Sequence, residues 1–344
     1  MAIDIDIHSH WYPEFLVVAL NARTDLPYVQ LGDDGTHTLS YKGTEAPVRP
    51  GYTDFGPRMK EQDRFGVDTH VVSLGNRMLN AMDSMGAEEA TPLTQINNDA
   101  VAALCAAYPG RVYGLSMLPF EDMSAAVEEF DRVINQPGII GATMPGNGFL
   151  DTGRARRYVP LLEAAQKLGG AHFLVHQGYE FQDFADLPPR APDNAGPRQS
   201  TLEMQSRLSS IMVTLNMTDF LDPFPDVTIQ VHNLGGNLPM EISRMDHIYL
   251  FRGTGDALPS SRCRRTMVDC NSLGAGAIEL GVSLYGADPT MFGTDGSAFG
   301  AEWPIRAIEE ARIEDWEKQA ILEETAAALL PGQADTLTAT MGTA

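Results

Sequence analysis

The stretch Ile5–Pro13 reads IDIHSHWYP and places two histidines, two positions apart, where an apolar run ends. The apolar residues before them predict a strand over Ile3–His8. Because successive side chains of a strand alternate between its faces, His8 and His10 point to the same side. Two neutral imidazoles on one face are suitable ligands for a transition metal. The stretch therefore predicts the start of a metal site.

Seven further apolar runs follow, separated by segments long enough for helices. Short, continuous apolar runs are typical of parallel strands that are buried on both faces. Eight strand-then-helix units favour a distorted (β/α)8 TIM barrel over an open doubly wound sheet, since no Gly-x-Gly-x-x-Gly follows the first strand. The other predicted strands are Val67–Leu74, Val112–Leu118, Ile139–Met144, Ala171–His176, Val227–Val231, Thr266–Cys270 and Thr290–Thr294. The predicted helices are Asn97–Ala107, Ala125–Ile134, Val159–Leu168, Leu202–Met217, Ala275–Leu284 and Ile305–Arg312.

A long insert, Trp11–Gly56, interrupts this alternation after the first strand. Within it, Tyr28–Leu31 and Thr38–Tyr41 flank the turn sequence DDG, which indicates a β-hairpin. Loops after barrel strands lie at the face where active sites form, so we expect this insert to be a small β lid. A second long loop, Gly178–Pro197, is another candidate lid.

Length and composition are those of one globular domain. The 344 residues fit a single barrel over 1–331 and a polar tail at 332–344. A net charge of −22 argues against nucleic acid and anionic membranes as partners. The three cysteines show neither disulfide nor metal-ligand spacing, and neither a signal peptide nor an apolar span is expected. A cytoplasmic protein is the expectation.

Three more chemically active residues lie where predicted strands end. His176 ends the fifth strand, His232 follows the sixth and Asp295 follows the eighth. The carboxyl ends of barrel strands meet at one mouth, so we expect these residues to converge with the first histidine pair. The remaining histidines have ordinary structural interpretations: His37, His70, His172 and His247.

These motifs together resemble the amidohydrolase superfamily. They are similar, in order and spacing, to those of the amidohydrolase-related decarboxylases, the branch of aminocarboxymuconate-semialdehyde decarboxylase. The resemblance runs from Ile3 to about Leu330 and includes the passages Pro57–Ser73 and Asp269–Asp295. The matching motifs are IDIHSHWYP (Ile5–Pro13), LVHQG (Leu174–Gly178), VHNLGG (Val231–Gly236) and FGTD (Phe292–Asp295).

The resemblance implies one divalent metal ion, Zn²⁺ first and Mn²⁺ second, whose ligands are His8, His10, His176 and Asp295. No lysine stands at a strand end where a bridging carbamate would be expected, which favours a single ion. His232 is implied as an acid/base beside the metal, because imidazole titrates near neutrality. Asp295 is the other candidate catalytic group.

Four residues are candidate substrate contacts. Arg49, in the insert, resembles the arginine with which related decarboxylases hold a carboxylate, and a guanidinium suits that contact. Arg244 resembles a family arginine that reaches into the neighbouring subunit's site, which implies a homodimer. Trp11 is either a pocket residue or an ordinary packing aromatic. Gln177 borders the substrate position, where the family usually has proline.

The implied function is a metal-dependent non-oxidative decarboxylase, a carboxy-lyase, of an aromatic or unsaturated carboxylic acid. The chain departs from the family pattern at Gln177 and again at Gly296, directly after Asp295. These departures keep a second hypothesis open, a hydrolase or hydratase that uses a metal-activated water. A barrel that only binds ligands is a third hypothesis, disfavoured because all four implied metal ligands are present.

Overall fold

One eight-stranded parallel sheet and one three-stranded antiparallel sheet organise the chain. The computed structural model describes residues 4–187, 193, 195–253, 255–296 and 300–331. In the large sheet the strand order is β1-β5-β6-β7-β8-β9-β10-β11, so each strand pairs with the next one along the chain. The strands are β1 (Asp4–His10), β2 (Tyr28–Gln30), β3 (His37–Tyr41), β4 (Thr44–Val48), β5 (Val67–Ser73), β6 (Val112–Ser116), β7 (Ile139–Pro145), β8 (His172–His176), β9 (Thr228–Val231), β10 (Met267–Asp269) and β11 (Thr290–Met291).

Backbone hydrogen bonds between β1 and the segment after β11 close the large sheet. The N–H groups of Thr294 and Asp295 donate to the carbonyl of His8 at 3.2 and 2.8 Å. A parallel bridge also joins Ser9 and Gly296. The sheet is therefore a (β/α)8 barrel, as the alternation of apolar runs predicts.

The last strand is shorter than expected. Thr290–Thr294 is the predicted strand, whereas the ladder with β10 ends at Met291. The physical reason is closure of the barrel, since the backbone beyond Met291 turns to hydrogen-bond with β1 instead. The first strand, in contrast, extends beyond the prediction and runs through His10.

Helices cover the outside of the barrel, and all six predicted ones are confirmed with shifts at their ends. The sequence pattern does not predict α10, whose exposed apolar residues blur its periodicity. The helices are α1 (Glu14–Asn21), α2 (Pro50–Thr53), α3 (Phe55–Asp63), α4 (Asn76–Asp83), α5 (Ala87–Ala107), α6 (Met123–Val133), α7 (Thr152–Ala155), α8 (Val159–Lys167), α9 (Met204–Met217), α10 (Leu238–Arg252), α11 (Ala275–Tyr285), α12 (Glu302–Glu310), α13 (Asp315–Gln319) and α14 (Thr325–Ala327). In the described part of the chain, none of them has the length and apolar character that a membrane crossing requires.

The insert after β1 contains α1, the antiparallel sheet β2-β3-β4 and the short helix α2. The predicted hairpin is present as β2 and β3, and a third strand follows it. Between β3 and β4, Lys42 and Gly43 have positive φ angles of 38° and 75°, as a two-residue hairpin turn requires. Pro47 in β4 hides this strand from sequence patterns, because proline is confined to sheet edges.

An apolar cluster fills the barrel on the amino-terminal side of the predicted ligands. It contains Ile7, Leu174 and Met291 from three strands, each fully buried. Ala326 and Leu330, from the last described segment, pack against it. This packing gives the site above it a rigid floor. The predicted tail 332–344 and residues 188–192 and 194 of the second candidate lid lie outside the described residues.

Candidate metal centre

Three histidine rings and one carboxylate converge at the mouth of the barrel. One ligand atom from each lies within 4.8 Å of the others, and the three histidines are buried. The three ring centroids lie 5.0–5.1 Å from one another. The group consists of His8, His10, His176 and Asp295, the four predicted ligands.

The ring nitrogens show that this group fits a metal ion. The Nδ1 atom of each ring lies within hydrogen-bond distance of a protein oxygen, whereas each Nε2 atom is buried and has no well-aligned hydrogen bond within the described residues. Asp295 Oδ1 lies 2.9 Å from Nε2 of His10 and 4.0 Å from Nε2 of His8. The oxygens near the three Nδ1 atoms belong to Asp269, Ser73 and Gln177, at 3.0, 3.1 and 3.1 Å. Buried nitrogen lone pairs that face one carboxylate are the donor set of a divalent transition metal.

Closure of the barrel places Asp295. Its φ angle is 49°, in the left-handed region that aspartate tolerates better than most residues. The bond from its own N–H to the His8 carbonyl holds that conformation. One residue earlier, the Thr294 hydroxyl donates to Asp6 at 2.6 Å. The carboxylate is therefore aimed by backbone contacts with the strand that carries the first two histidines.

Burial and charge set the protonation of the site. Burial lowers the pKa of His10 and of His176, so both imidazoles are neutral near pH 7. Burial also acts to lower the pKa of His8, but the charges of Asp269 and Asp295 outweigh it and raise this pKa to about 9. A divalent cation among these rings would replace the proton that His8 otherwise takes up.

His232 lies beside the four residues rather than among them. Its ring stacks on His176 with a centroid distance of 4.4 Å. Its Nε2 accepts a hydrogen bond from the Gln177 backbone N–H at 3.0 Å, so the neutral ring carries its hydrogen on Nδ1. That Nδ1 is buried and has no partner in the described structure. Burial lowers the pKa of His232 to about 4, which keeps the ring neutral near pH 7.

The predicted substrate residues are distributed unevenly. Gln177 enters the site, because its backbone carbonyl and N–H contact His176 and His232. Trp11 is half-buried, and its indole N–H donates to Thr53 in the insert at 3.0 Å, a packing contact. Arg49 is exposed at the start of α2, and Arg244 is exposed on α10. Neither arginine has a hydrogen bond or ion pair with the four candidate ligands among the described residues.

The insert nevertheless reaches the mouth of the barrel. Tyr52, in α2, stacks on Tyr12 with a centroid distance of 4.7 Å. Burial raises the pKa of Tyr52, the charge of Asp295 raises it further, and the charges of Arg77 and Arg49 lower it. The charges of Asp295 and Arg49 therefore both act on the Tyr52 phenol.

The sequence patterns do not predict two residues that contact the candidate ligands. Asp269 ends β10 and is fully buried, and its carboxylate faces His8. An acidic residue inside an otherwise apolar predicted strand could have indicated a role for Asp269 in the site. Arg58, in α3, is also buried, and its guanidinium donates to the backbone carbonyl of His10. No local pattern indicates that contact.

Comparison with known proteins agrees with this architecture. The gamma-resorcylate decarboxylase of Rhodococcus jostii is 26% identical over 289 residues, which cover 78% of this chain and 82% of that protein. The crystal structure of Metarhizium anisopliae IDCase in apo form has a TM-score of 0.76 at 19% identity, covering 95% of this chain and 96% of the other.

A second structure contains a metal. The dihydroxybenzoic acid decarboxylase of Polaromonas sp. JS666, with bound manganese and the inhibitor 2-nitroresorcinol, has a TM-score of 0.69 at 19% identity and covers 96% and 97% of the two chains. At these identities the structures support the fold. The resemblance inferred from the motifs is confirmed by the family model described as Amidohydrolase, which matches residues 5–332. The chain belongs to the amidohydrolase family.

Proposed function

We propose that this chain is a metal-dependent non-oxidative decarboxylase, a carboxy-lyase, of an aromatic or unsaturated carboxylic acid. The observation that carries the proposal is the convergence of three buried imidazole Nε2 atoms and the Asp295 carboxylate at one point of the barrel mouth. The similarity to a gamma-resorcylate decarboxylase favours an aromatic acid as substrate.

The metal we propose is Zn²⁺, with Mn²⁺ as the alternative. Three neutral imidazoles and one carboxylate suit both ions. The Polaromonas structure supports Mn²⁺ through the ion that it contains. When bound, either ion supplies a positive charge that orients the substrate carboxylate and a neighbouring oxygen.

Residues around the mouth would complete the substrate site. Arg49 would supply a guanidinium suited to a carboxylate, and the insert that carries it would act as a lid over the barrel. Gln177 contacts His176 and His232 through its backbone at the same mouth. Trp11, whose indole packs on the insert, is the remaining candidate contact. His232 offers its Nδ1–H, which has no protein partner among the described residues, as a hydrogen-bond donor toward the substrate.

The reaction needs one bond to break and one proton to arrive. The bond between the substrate carbon and its carboxylate breaks, CO₂ leaves, and the electron pair left on the carbon takes up a proton. Asp295 would take up that proton from solvent and pass it to the carbon, while the neutral His232 ring, whose Nε2 is occupied, would donate a hydrogen bond from Nδ1. A closed lid would exclude water from the developing carbanion.

Metal-loaded protein should release CO₂ from gamma-resorcylate or from another hydroxybenzoate or unsaturated acid in a panel. Protein stripped of metal by a chelator is the control and should release none. CO₂ release that is recovered on adding back Zn²⁺ or Mn²⁺ supports the proposal. No release across the panel from protein that carries one equivalent of metal overturns it.

A hydrolase or hydratase is the second candidate. Gln177 lies at the mouth where related decarboxylases carry proline, and Gly296 follows Asp295, so the substrate border differs from the family pattern. In this case a water activated at the site would attack a carbonyl or an unsaturated carbon. Solvent ¹⁸O in the product would favour this class, and its absence would favour decarboxylation.

We also propose a cytoplasmic homodimer with one catalytic domain over residues 1–331. Cys105, Cys263 and Cys270 are free and buried, which fits a reducing compartment. Exposed apolar residues on α10 support self-association. Arg244 lies on the same helix, as expected if it acts across the interface.

A further inference from the structure

A row of hydrogen bonds connects His8 to buried side chains on three other strands. The carboxylate of Asp269 lies 3.0 Å from Nδ1 of His8. The amide of Gln230 donates to the same carboxylate at 2.5 Å, and its carbonyl lies 2.9 Å from Nε2 of His172. Asp269, Gln230 and His172 are at most 3% exposed. We call these three residues the interior belt; they come from β10, β9 and β8.

The chemistry of each group allows only one direction of donation along the belt. An ionised carboxylate only accepts, so His8 must carry its hydrogen on Nδ1 to bond with Asp269. The Asn271 amide nitrogen also lies 3.1 Å from this Nδ1, but it donates to the other oxygen of Asp269, which is closer at 2.5 Å. The NH₂ of Gln230 points at Asp269, so its carbonyl faces His172 and requires a hydrogen on Nε2 of that ring. The other nitrogen of His172 then accepts from the Thr228 hydroxyl, 3.0 Å away.

Further donors hold the carboxylate in place. The other oxygen of Asp269 lies 2.5 Å from the side-chain amide of Asn271. It also accepts from the backbone N–H groups of Asn233 and Asn271, each at 3.3 Å. Five donors therefore surround one buried carboxylate, and the belt fixes both its position and its role as acceptor.

We infer that the interior belt positions His8 for the metal, with Asp269 acting directly and Gln230 and His172 acting through it. A ring with its hydrogen on Nδ1 presents its lone pair on Nε2, the atom that faces the other three ligands. This inference rests on the proposed metal site. None of the three belt residues belongs to the ligand set, so all three are positioning residues.

The test is metal affinity, measured without substrate on the full-length chain after removal of metal. Asp269→Asn places an amide beside Nδ1 of His8 and removes the fixed acceptor. Its dissociation constant for Zn²⁺ alone, from competition with a chelator, should rise about 10- to 100-fold. Gln230→Met leaves the carboxylate in place and should raise the constant by a smaller factor. The absorption spectrum of the Co²⁺-loaded protein should change in Asp269→Asn because the geometry at His8 changes.

Glu129→Gln is the matched control. Glu129 is a buried carboxylate on α6 that accepts from Asn98 at 2.7 Å and pairs with Arg132, away from the barrel mouth. It should lower stability without changing Zn²⁺ affinity or the Co²⁺ spectrum. If Asp269→Asn fails to fold, Gln230→Met becomes the test. An unchanged Zn²⁺ affinity in that variant would overturn the positioning role of the belt.

The outcomes separate this inference from the proposed function. An unchanged Zn²⁺ affinity and Co²⁺ spectrum in folded Asp269→Asn would overturn the positioning role of the belt and leave the proposed metal site intact. Failure of the unmodified chain to bind Zn²⁺, Mn²⁺ or Co²⁺ overturns the metal site, and the role of the belt with it.

Discussion

His232 shows how one backbone contact sets the chemistry of a side chain. The Gln177 N–H occupies its Nε2, which leaves Nδ1–H as the only group that can reach a substrate. Sequence motifs predict that this histidine stands beside the metal. They do not say which nitrogen is free, because that depends on a neighbour 55 residues away.

His232→Asn is expected to keep the metal and lose turnover. The residue is not among the four candidate ligands, so metal content should remain at one equivalent. Loss of an acid/base or donor group should lower kcat roughly 10²- to 10⁴-fold in the CO₂ assay. Loss of the metal in this variant would instead make His232 a ligand, and an unchanged kcat would remove it from the mechanism.

His70 is expected to make the fold sensitive to acid. Burial, together with the charges of Arg58 and Arg111, lowers its pKa from 6.5 to about 3. Between these values the unfolded chain binds more protons than the folded one, so stability is full above about pH 6.5 and falls as the pH drops toward 3. The loss for one such group is on the order of a few kcal/mol.

His70→Leu should reduce this loss of stability at acidic pH. Neither ring nitrogen of His70 has a hydrogen-bond partner within the described residues, so an apolar replacement removes a group that resists burial. Urea unfolding of metal-free protein at pH 7 and pH 5 measures the difference. An equal loss of stability in the variant and in the unmodified chain would show that other buried histidines carry the effect.

At the scale of elements, α6 illustrates a helix that local sequence specifies well. Asp122 precedes it, and its carboxylate accepts from the N–H groups of Ser124 and Ala125 at 2.8 and 3.4 Å. Ala126, Phe130 and Val133 then recur at helical spacing, and all three are buried. Cap and periodicity are both local, which is why the predicted helix differs from the observed one by two residues at its start and one at its end.

Asp122→Ala should destabilise the protein by about 1 kcal/mol, because the first N–H groups of α6 lose their acceptor. Thermal or urea unfolding measures this change. Asp131→Ala is the control, since Asp131 is an exposed acid on the same helix. Equal effects of the two substitutions would refute the capping role.

At the scale of the whole molecule, α10 presents an exposed apolar face. Met240 and Phe251 are 74% and 84% exposed. Arg244 and His247 lie between them at intervals of three and four residues, so the four share one side of the helix. A large exposed apolar face on a protein of net charge −22 is a candidate contact with a second copy.

Phe251→Ser is therefore expected to shift the protein from dimer to monomer. Light scattering after size exclusion, across a range of concentrations, measures the mass. Trp316→Ser is the control, because Trp316 is an exposed aromatic on a different helix, α13. A monomeric unmodified chain, or a dimer that survives Phe251→Ser, would exclude this face as the interface.

The sequence by itself determined the barrel and the residue types of its metal site. Apolar periodicity and the placement of histidines at strand ends are local properties, so the convergence of His8, His10, His176, His232 and Asp295 could be predicted from their positions in each run. The family resemblance then implied which four of them are the metal ligands. The length of the last strand and the presence of the insert's third strand could not be predicted, since barrel closure decides the first and an edge proline conceals the second.

Only the tertiary structure decided which atoms of these residues are available. His8 and Asp269 are 261 residues apart, and their contact exists because β1 and β10 face the same interior. Arg58, in α3, contacts the His10 carbonyl although the two residues are 48 positions apart. The local sequence determines the residue type of each ligand. The tautomer of a histidine ring and the direction in which its free nitrogen points depend on hydrogen-bond partners that the closed barrel brings together.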